Sequence, residues 1–172
     1  IKKLTGSKEL LHNLPRYCLW LTNAPEEVKA KPIVAERIEG CKAMRLASRD
    51  PGCRKLAERA HEFRDLNNPD TAIVIPCHSS ERRDYIPMGF VGKDSIVTNA
   101  NQIVPNGTLY DFGILESRMH MTWMRTVCGR LESRYRYSRD LCYNTFPWPD
   151  AKETQRHTIE VLAQKVLDAR DF

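Results

Sequence analysis

Glu132, Arg134 and Arg136 stand two residues apart in the stretch GRLESRYRYS at 129–138, with Tyr135 and Tyr137 interleaved. In an extended segment the side-chain period is two, so the three charged groups are expected on one side and the tyrosines on the other. A glutamate accepts a hydrogen bond from the exocyclic amine of cytosine, and an arginine donates two to guanine, so Glu132 beside Arg134 suits a C·G base pair. Each good bidentate contact discriminates by about 1–3 kcal/mol. The spacing leaves open a plainer reading, a solvated strand with one Glu–Arg pair contributing about 0–1 kcal/mol.

Charge distribution favours the first reading. Arg118, Arg125, Arg130, Arg134, Arg136 and Arg139 are opposed only by Glu132, a local excess of +5 that equals the net charge of the entire chain. A localised arginine cluster is the electrostatic footprint of phosphate and base contacts. It would equally suit a docking domain whose basic face meets an acidic protein or a neighbouring domain. Upstream, HSSERRDYIP at 78–87 supplies Ser79, Ser80, Arg82 and Arg83 as phosphate contacts, with Glu81 and Asp84 tolerable only if paired. A salt-bridged strand edge is the alternative there. His78 with Ser79 or Ser80 could form a hydrolase nucleophile, but no acid or oxyanion hole accompanies them.

Other chemistries lack their residues. An adenine methyltransferase needs a glycine-rich cofactor strand and an Asn/Asp-Pro-Pro-Tyr/Phe string to hold a flipped base. The nearest string, NTFPWP at 144–149, lacks the paired prolines and reads as a turn. Asp70 and Asp150 follow prolines, but neither is followed at suitable spacing by the (D/E)xK triplet of a metal-dependent nuclease. Six cysteines and five histidines occur without CxxC or HxxxH spacing, so zinc is not expected, and the cysteines read as reduced, mostly buried thiols.

The elements that must position these residues follow from periodicity. A strand or anchor is expected at Tyr17–Leu21, a helix from Pro32 to about Ser48, and a second from Gly52 to Phe63, both with basic residues outward. TAIVIPCHSS reads as a buried strand, followed by short strands in YIPMGFVG and SIVTNANQIVP. The prolines at 76, 87 and 105 favour sheet edges or bulges. Leu109, Phe112, Leu115, Met119, Trp123 and Val127 trace one amphipathic helix. A last helix, about Ala151–Ala169, is expected to turn Ile159, Leu162, Val166 and Ala169 inward. The fold class is α+β, with a mixed part over 1–107 and a helical part over 108–172.

At 172 residues with 28% charged and 41% hydrophobic content, the composition is that of an ordinary soluble domain. No apolar run approaches a membrane span and no signal peptide is visible. A start at Ile1 rather than methionine suggests an excised piece of something longer.

Four strings, SSERRDYIPMGF (79–90), NANQIVPN (99–106), FGILESRMHMTWMRTVCGRLESRYRYS (112–138) and YNTFPWP (143–149), together resemble the carboxy-terminal third of the MmeI-type (type IIG/IIL) restriction–modification enzymes. These join nuclease, adenine methyltransferase and target recognition in one polypeptide. The resemblance implies a target recognition domain and a small helical carboxy-terminal domain clasping duplex DNA. It implies that Glu132 with Arg134 sets one recognised base pair, and Ala100 with Arg136 another. Arg118, Arg125, Arg130, Ser133, Tyr135, Ser138 and Arg139, with Ser79, Ser80, Arg82 and Arg83, are expected to touch the DNA backbone or support the reading residues. A C·G preference at the first position and purine tolerance at the second follow. The family's catalytic motifs lie upstream, so this chain is expected to hold no cofactor. S-adenosylmethionine and magnesium are expected for the parent, a prokaryotic cytoplasmic methyltransferase and endonuclease.

Overall fold

The computed structural model describes residues 1–170. In chain order its elements are β1 (Lys2–Thr5), α1 (Ser7–His12), β2 (Tyr17–Cys18), α2 (Glu26–Lys29), α3 (Pro32–Leu46), α4 (Pro51–Lys55) and β3 (Thr71–Pro76). There follow β4 (His78–Ser79), β5 (Gly89–Gly92), β6 (Ser95–Val97), β7 (Asn101–Pro105), α5 (Leu109–Leu115), α6 (Arg118–Val127), β8 (Gly129–Leu131), β9 (Arg134–Arg136) and α7 (Glu153–Asp168). The class is α+β, as expected. By packing, the chain forms two compact units, Tyr17–Asn67 with Ile1–Lys2, and Lys3–Arg16 with Asn68 onward. Neither unit ends at residue 107.

The smaller unit is helical. Pro32 opens α3 at a position where its missing N–H costs nothing, and Asp50 caps α4 by accepting from the backbone of Gly52 and Cys53. The expected helix over 52–63 is broken into α4 and a 3₁₀ turn, Leu56–Arg59. Arg45 stabilises the break. It is buried rather than outward, and donates to the carbonyls of Leu56, Arg59 and Glu62 at 2.7, 2.9 and 2.6 Å. The guanidinium satisfies three carbonyls that the broken helix end leaves short of partners, Arg59 O accepting from Glu62 N as well.

The larger unit is built on β3, whose Ala72, Ile73, Val74 and Ile75 are all buried. It is the centre of an antiparallel sheet with β5 and β7 on its flanks, in the register Ile73↔Phe90 and Ile73↔Val104. Pro76 ends β3 and Pro105 ends the edge strand β7, positions where a missing donor is tolerated. Separately, β1 pairs in parallel with β6. Phe112, Leu115, Met121 and Met124 cover the sheet and complete the core with Tyr135 and Tyr137.

The single helix expected over 109–127 is two. Thr108 caps α5 and Ser117 caps α6, each accepting from the backbone three residues on. Between them Glu116 turns inward, accepts from Met88 N at 3.2 Å and pairs with Arg170 at 3.2 Å. Its burial raises the carboxyl above its ordinary range, against the pull of Arg170. The break shifts the phase of the apolar stripe. His120, Met121 and Met124 become core while Met119 is exposed.

Helix α7 also presents a different face from the expected one. Ala163 is buried, with Ile159 and Leu167 packing beside it, whereas Leu162 and Val166 are exposed. Gly113 sets this phase by close approach, since a Cβ there would lie 2.6 Å from Ile159 Cγ2 and 3.3 Å from Ala163 Cβ. Gly113→Val is therefore expected to destabilise the fold by about 1–3 kcal/mol through overpacking. An unchanged thermal midpoint would show that the two helices can move apart freely.

Candidate nucleic-acid interface

The stretch 129–138 is a hairpin rather than one continuous strand. Strands β8 and β9 pair antiparallel, Arg130↔Tyr135 and Leu131↔Arg134, leaving Glu132 and Ser133 as a two-residue turn. Glu132 has φ 58, in the left-handed region, while Ser133 does not. Positive φ at the first turn position is where glycine normally sits in a tight hairpin. Holding a glutamate there costs about 1–2 kcal/mol. Backbone strain of this kind concentrates at functional sites.

The turn delivers Glu132 to the arginines by another route than alternation. Its carboxylate lies 2.7 Å from Arg134 Nη2, and both side chains remain largely exposed, at 74% and 46%. Along β9 the period of two holds. Arg134 and Arg136 face outward, whereas Tyr135 and Tyr137 are buried at 8% and 2% exposure. The tyrosines are the foundation. Tyr137 Oη lies 2.9 Å from Nε2 of the fully buried His120 on α6.

Strand β4 flanks β9 on its other edge, pairing His78↔Arg136 and Ser79↔Tyr135. Cys77, just before it, donates to Ala100 O at 3.1 Å, and Tyr137 N donates to Cys77 O at 2.8 Å. Exposed Ala100 and Arg136, far apart in sequence, are thus joined through one intervening segment. Glu132, Arg134, Arg136 and Ala100 lie in one unit on neighbouring segments.

A family model for MmeI, target recognition domain, matches residues 1–150. The chain belongs to this family. It is 45% identical over 172 residues to DNA methyltransferase A of Bacillus subtilis (strain 168), covering 99% of this chain and 20% of that protein. It is similar to the solved structure of the type IIL restriction–modification enzyme MmeI in complex with DNA, at 42% identity and TM-score 0.94, over 99% of this chain and 23% of the other. The chain thus spans about a fifth of the length of these relatives.

Around this MmeI-type hairpin the basic residues separate into two groups. Arg130 is committed to the hairpin itself, donating to Ser133 O at 2.9 Å and lying 4.2 Å over the Tyr135 ring. Arg139 pairs with Asp140 at 2.8 Å, and Arg125 donates to Asp84 O. Ser138 caps the turn that follows β9, accepting from Leu141 N. By contrast Arg82, Arg83, Arg118 and Arg136 are exposed and make no side-chain hydrogen bond or ion pair among the described residues. Arg118 and Arg125 line one open polar cleft with Asp84, Tyr85 and Thr122.

Ser79 departs from the expected surface role. It is 6% exposed with its hydroxyl unpartnered among the described residues, because strand alternation turns it beneath the surface while His78 faces out. The same alternation separates His78 from Ser79 as a nucleophilic pair. Ser80 Oγ accepts from Arg82 N at 3.2 Å, shaping the turn that carries the two free arginines. Cys128 and Cys142, expected as thiols, are brought side by side with Cα atoms 5.8 Å apart, because the hairpin returns the chain to the end of α6. Among the described residues no cluster of three or more His, Cys, Asp or Glu could hold a metal ion.

Proposed function

We propose that the chain reads the base sequence of double-stranded DNA for a longer polypeptide that methylates adenine and cleaves DNA. The observation that carries this is the hairpin tip, where a strained glutamate and two outward arginines stand exposed on two buried tyrosines. Such a projecting two-stranded ribbon fits the major groove, where C·G and G·C pairs present different donor and acceptor patterns. Glu132 and Arg134 read one base pair as C·G. Arg136, joined to Ala100 through the segment at Cys77, donates to the N7 acceptor that both purines share.

Arg82, Arg83 and Arg118 supply phosphate contacts, since their guanidiniums have no competing partner among the described residues. Arg125, Arg130, Arg139, Ser133, Tyr135, Ser138 and Ser79 act as supports for the hairpin and its surroundings. The methyltransferase part of the same polypeptide is the covalent partner, and it is there that S-adenosylmethionine would supply the methyl group and magnesium would serve cleavage. Among the described residues no group of three or more His, Cys, Asp or Glu could hold the metal, and a cytoplasmic location in a prokaryote follows from the reading. No helix among the described residues is long and apolar enough to cross a membrane.

Salt titration of duplex binding by the full-length protein tests the phosphate assignment. Arg82→Ala is expected to weaken binding to all duplexes alike and to flatten the slope of log K against log salt by about 0.9. A changed sequence preference in this variant would move Arg82 from positioning to base reading. Absence of duplex affinity in the unmodified protein would overturn the function itself.

A further inference from the structure

We propose that His78 is a third base-reading side chain, acting on the base pair read by Arg136 and responsible for accepting either purine there. The inference rests on the DNA-reading function above. It starts from the ladder, in which His78 lies directly opposite Arg136. Directly opposed residues share one face of a sheet. Both are exposed, while their neighbours Ser79 and Tyr135 are both buried on the other face. On the far side of Arg136 the ladder partner is Gly129, which offers no side chain and above which nothing stands within 4 Å of where a Cβ would be. Across the ladder Arg136 is therefore flanked by one polar side chain, the His78 imidazole. That imidazole makes no hydrogen bond or ion pair among the described residues.

Purines differ in the major groove at position 6. Guanine shows acceptors at N7 and O6, whereas adenine shows the N7 acceptor and an N6 donor. Arg136 can serve the shared N7, but a guanidinium has no acceptor for the adenine amine. Ala100, one backbone hydrogen bond away through Cys77, has no polar side-chain atom. A neutral imidazole carries one donor nitrogen and one acceptor nitrogen, so it can donate to O6 or accept from N6. His78 thereby supplies the ambidextrous group that the Ala100–Arg136 pair lacks.

Selection of bound duplexes from a randomised pool by the full-length protein tests the assignment, with Arg136→Ala marking the position that Arg136 reads. The unmodified protein is expected to enrich adenine and guanine comparably at that position. His78→Lys, which can only donate, is expected to shift the ratio towards guanine by about tenfold or more. His78→Asn, with donor and acceptor both present, is expected to retain the mixture. An unchanged adenine-to-guanine ratio in His78→Lys, where Arg136→Ala does alter the position, overturns the role of His78 alone. No altered position in Arg136→Ala overturns the base-reading role of Arg136 and the inference with it. A lysine side chain at an exposed site keeps the protein folded, and the ratio reports base choice rather than overall affinity.

Discussion

Exchanging the charges at the hairpin tip, Glu132→Lys with Arg134→Asp in the full-length protein, is expected to invert one position of the recognised sequence from C·G to G·C. The lysine would donate to guanine where the glutamate accepted from cytosine, and the aspartate would accept where the arginine donated. Because each contact discriminates by about 1–3 kcal/mol, the preference at that position should move by at least about tenfold. The exchange keeps one positive and one negative group in the turn. The exposed Glu132–Arg134 pair, 2.7 Å apart, contributes only about 0–1 kcal/mol to stability, so the fold should tolerate it. Sequencing of sites protected or selected by the variant reads the outcome. An unaltered recognition sequence would remove both residues from base reading.

The second large effect is on stability and falls on acid. His120 has no exposed surface, its Nδ1 lacks a partner among the described residues, and burial lowers its pKa from 6.5 to about 4. The unfolded chain therefore binds a proton near pH 6.5 that the folded chain refuses until about pH 4. Stability from this group is fully present above pH 6.5 and is lost as pH falls from 6.5 towards 4, a loss of about 3 kcal/mol. Glu116 acts with the opposite sign. Its carboxyl is raised above 4.5 by burial, so its contribution is present below 4.5 and lost as pH rises through the folded value. Subtracting the unfolding free energy of His120→Gln from that of the unmodified chain at each pH isolates the histidine. The difference should fall steadily over this window, and a flat difference would mean that His120 titrates normally. Since His120 holds Tyr137 beneath β9, the hairpin should loosen in the same acid range.

Much of this was legible in the residues. The β-branched run at 71–76 became the central buried strand, and alternation correctly turned Arg134 and Arg136 outward over Tyr135 and Tyr137. Long shared strings, rather than periodicity, carried the family, and its match over residues 1–150 agrees. Two of the misses share a cause, polar groups used inside the fold. Arg45 reads as a surface base on its helix but binds three carbonyls, and Glu116 reads as helix interior but breaks it by pairing with Arg170. The hairpin itself was hidden because Glu132-Ser133 lacks the glycine or asparagine that normally signals a two-residue turn. On α7 the small residues Ala163 and Gly113 fixed the packing face, and a search for large apolar residues chose Leu162 and Val166 instead. His78 was read only as a possible nucleophile, since its place opposite Arg136 depends on a pairing 58 residues distant in sequence.

Protection of guanine N7 from dimethyl sulfate by the full-length protein on its own target duplex tests most directly whether this hairpin enters the major groove. Binding is expected to protect the guanine of the C·G pair, and Arg134→Ala is expected to restore reactivity at that guanine while leaving the phosphate footprint in place. Protection that persists unchanged in Arg134→Ala would contradict base reading by the hairpin.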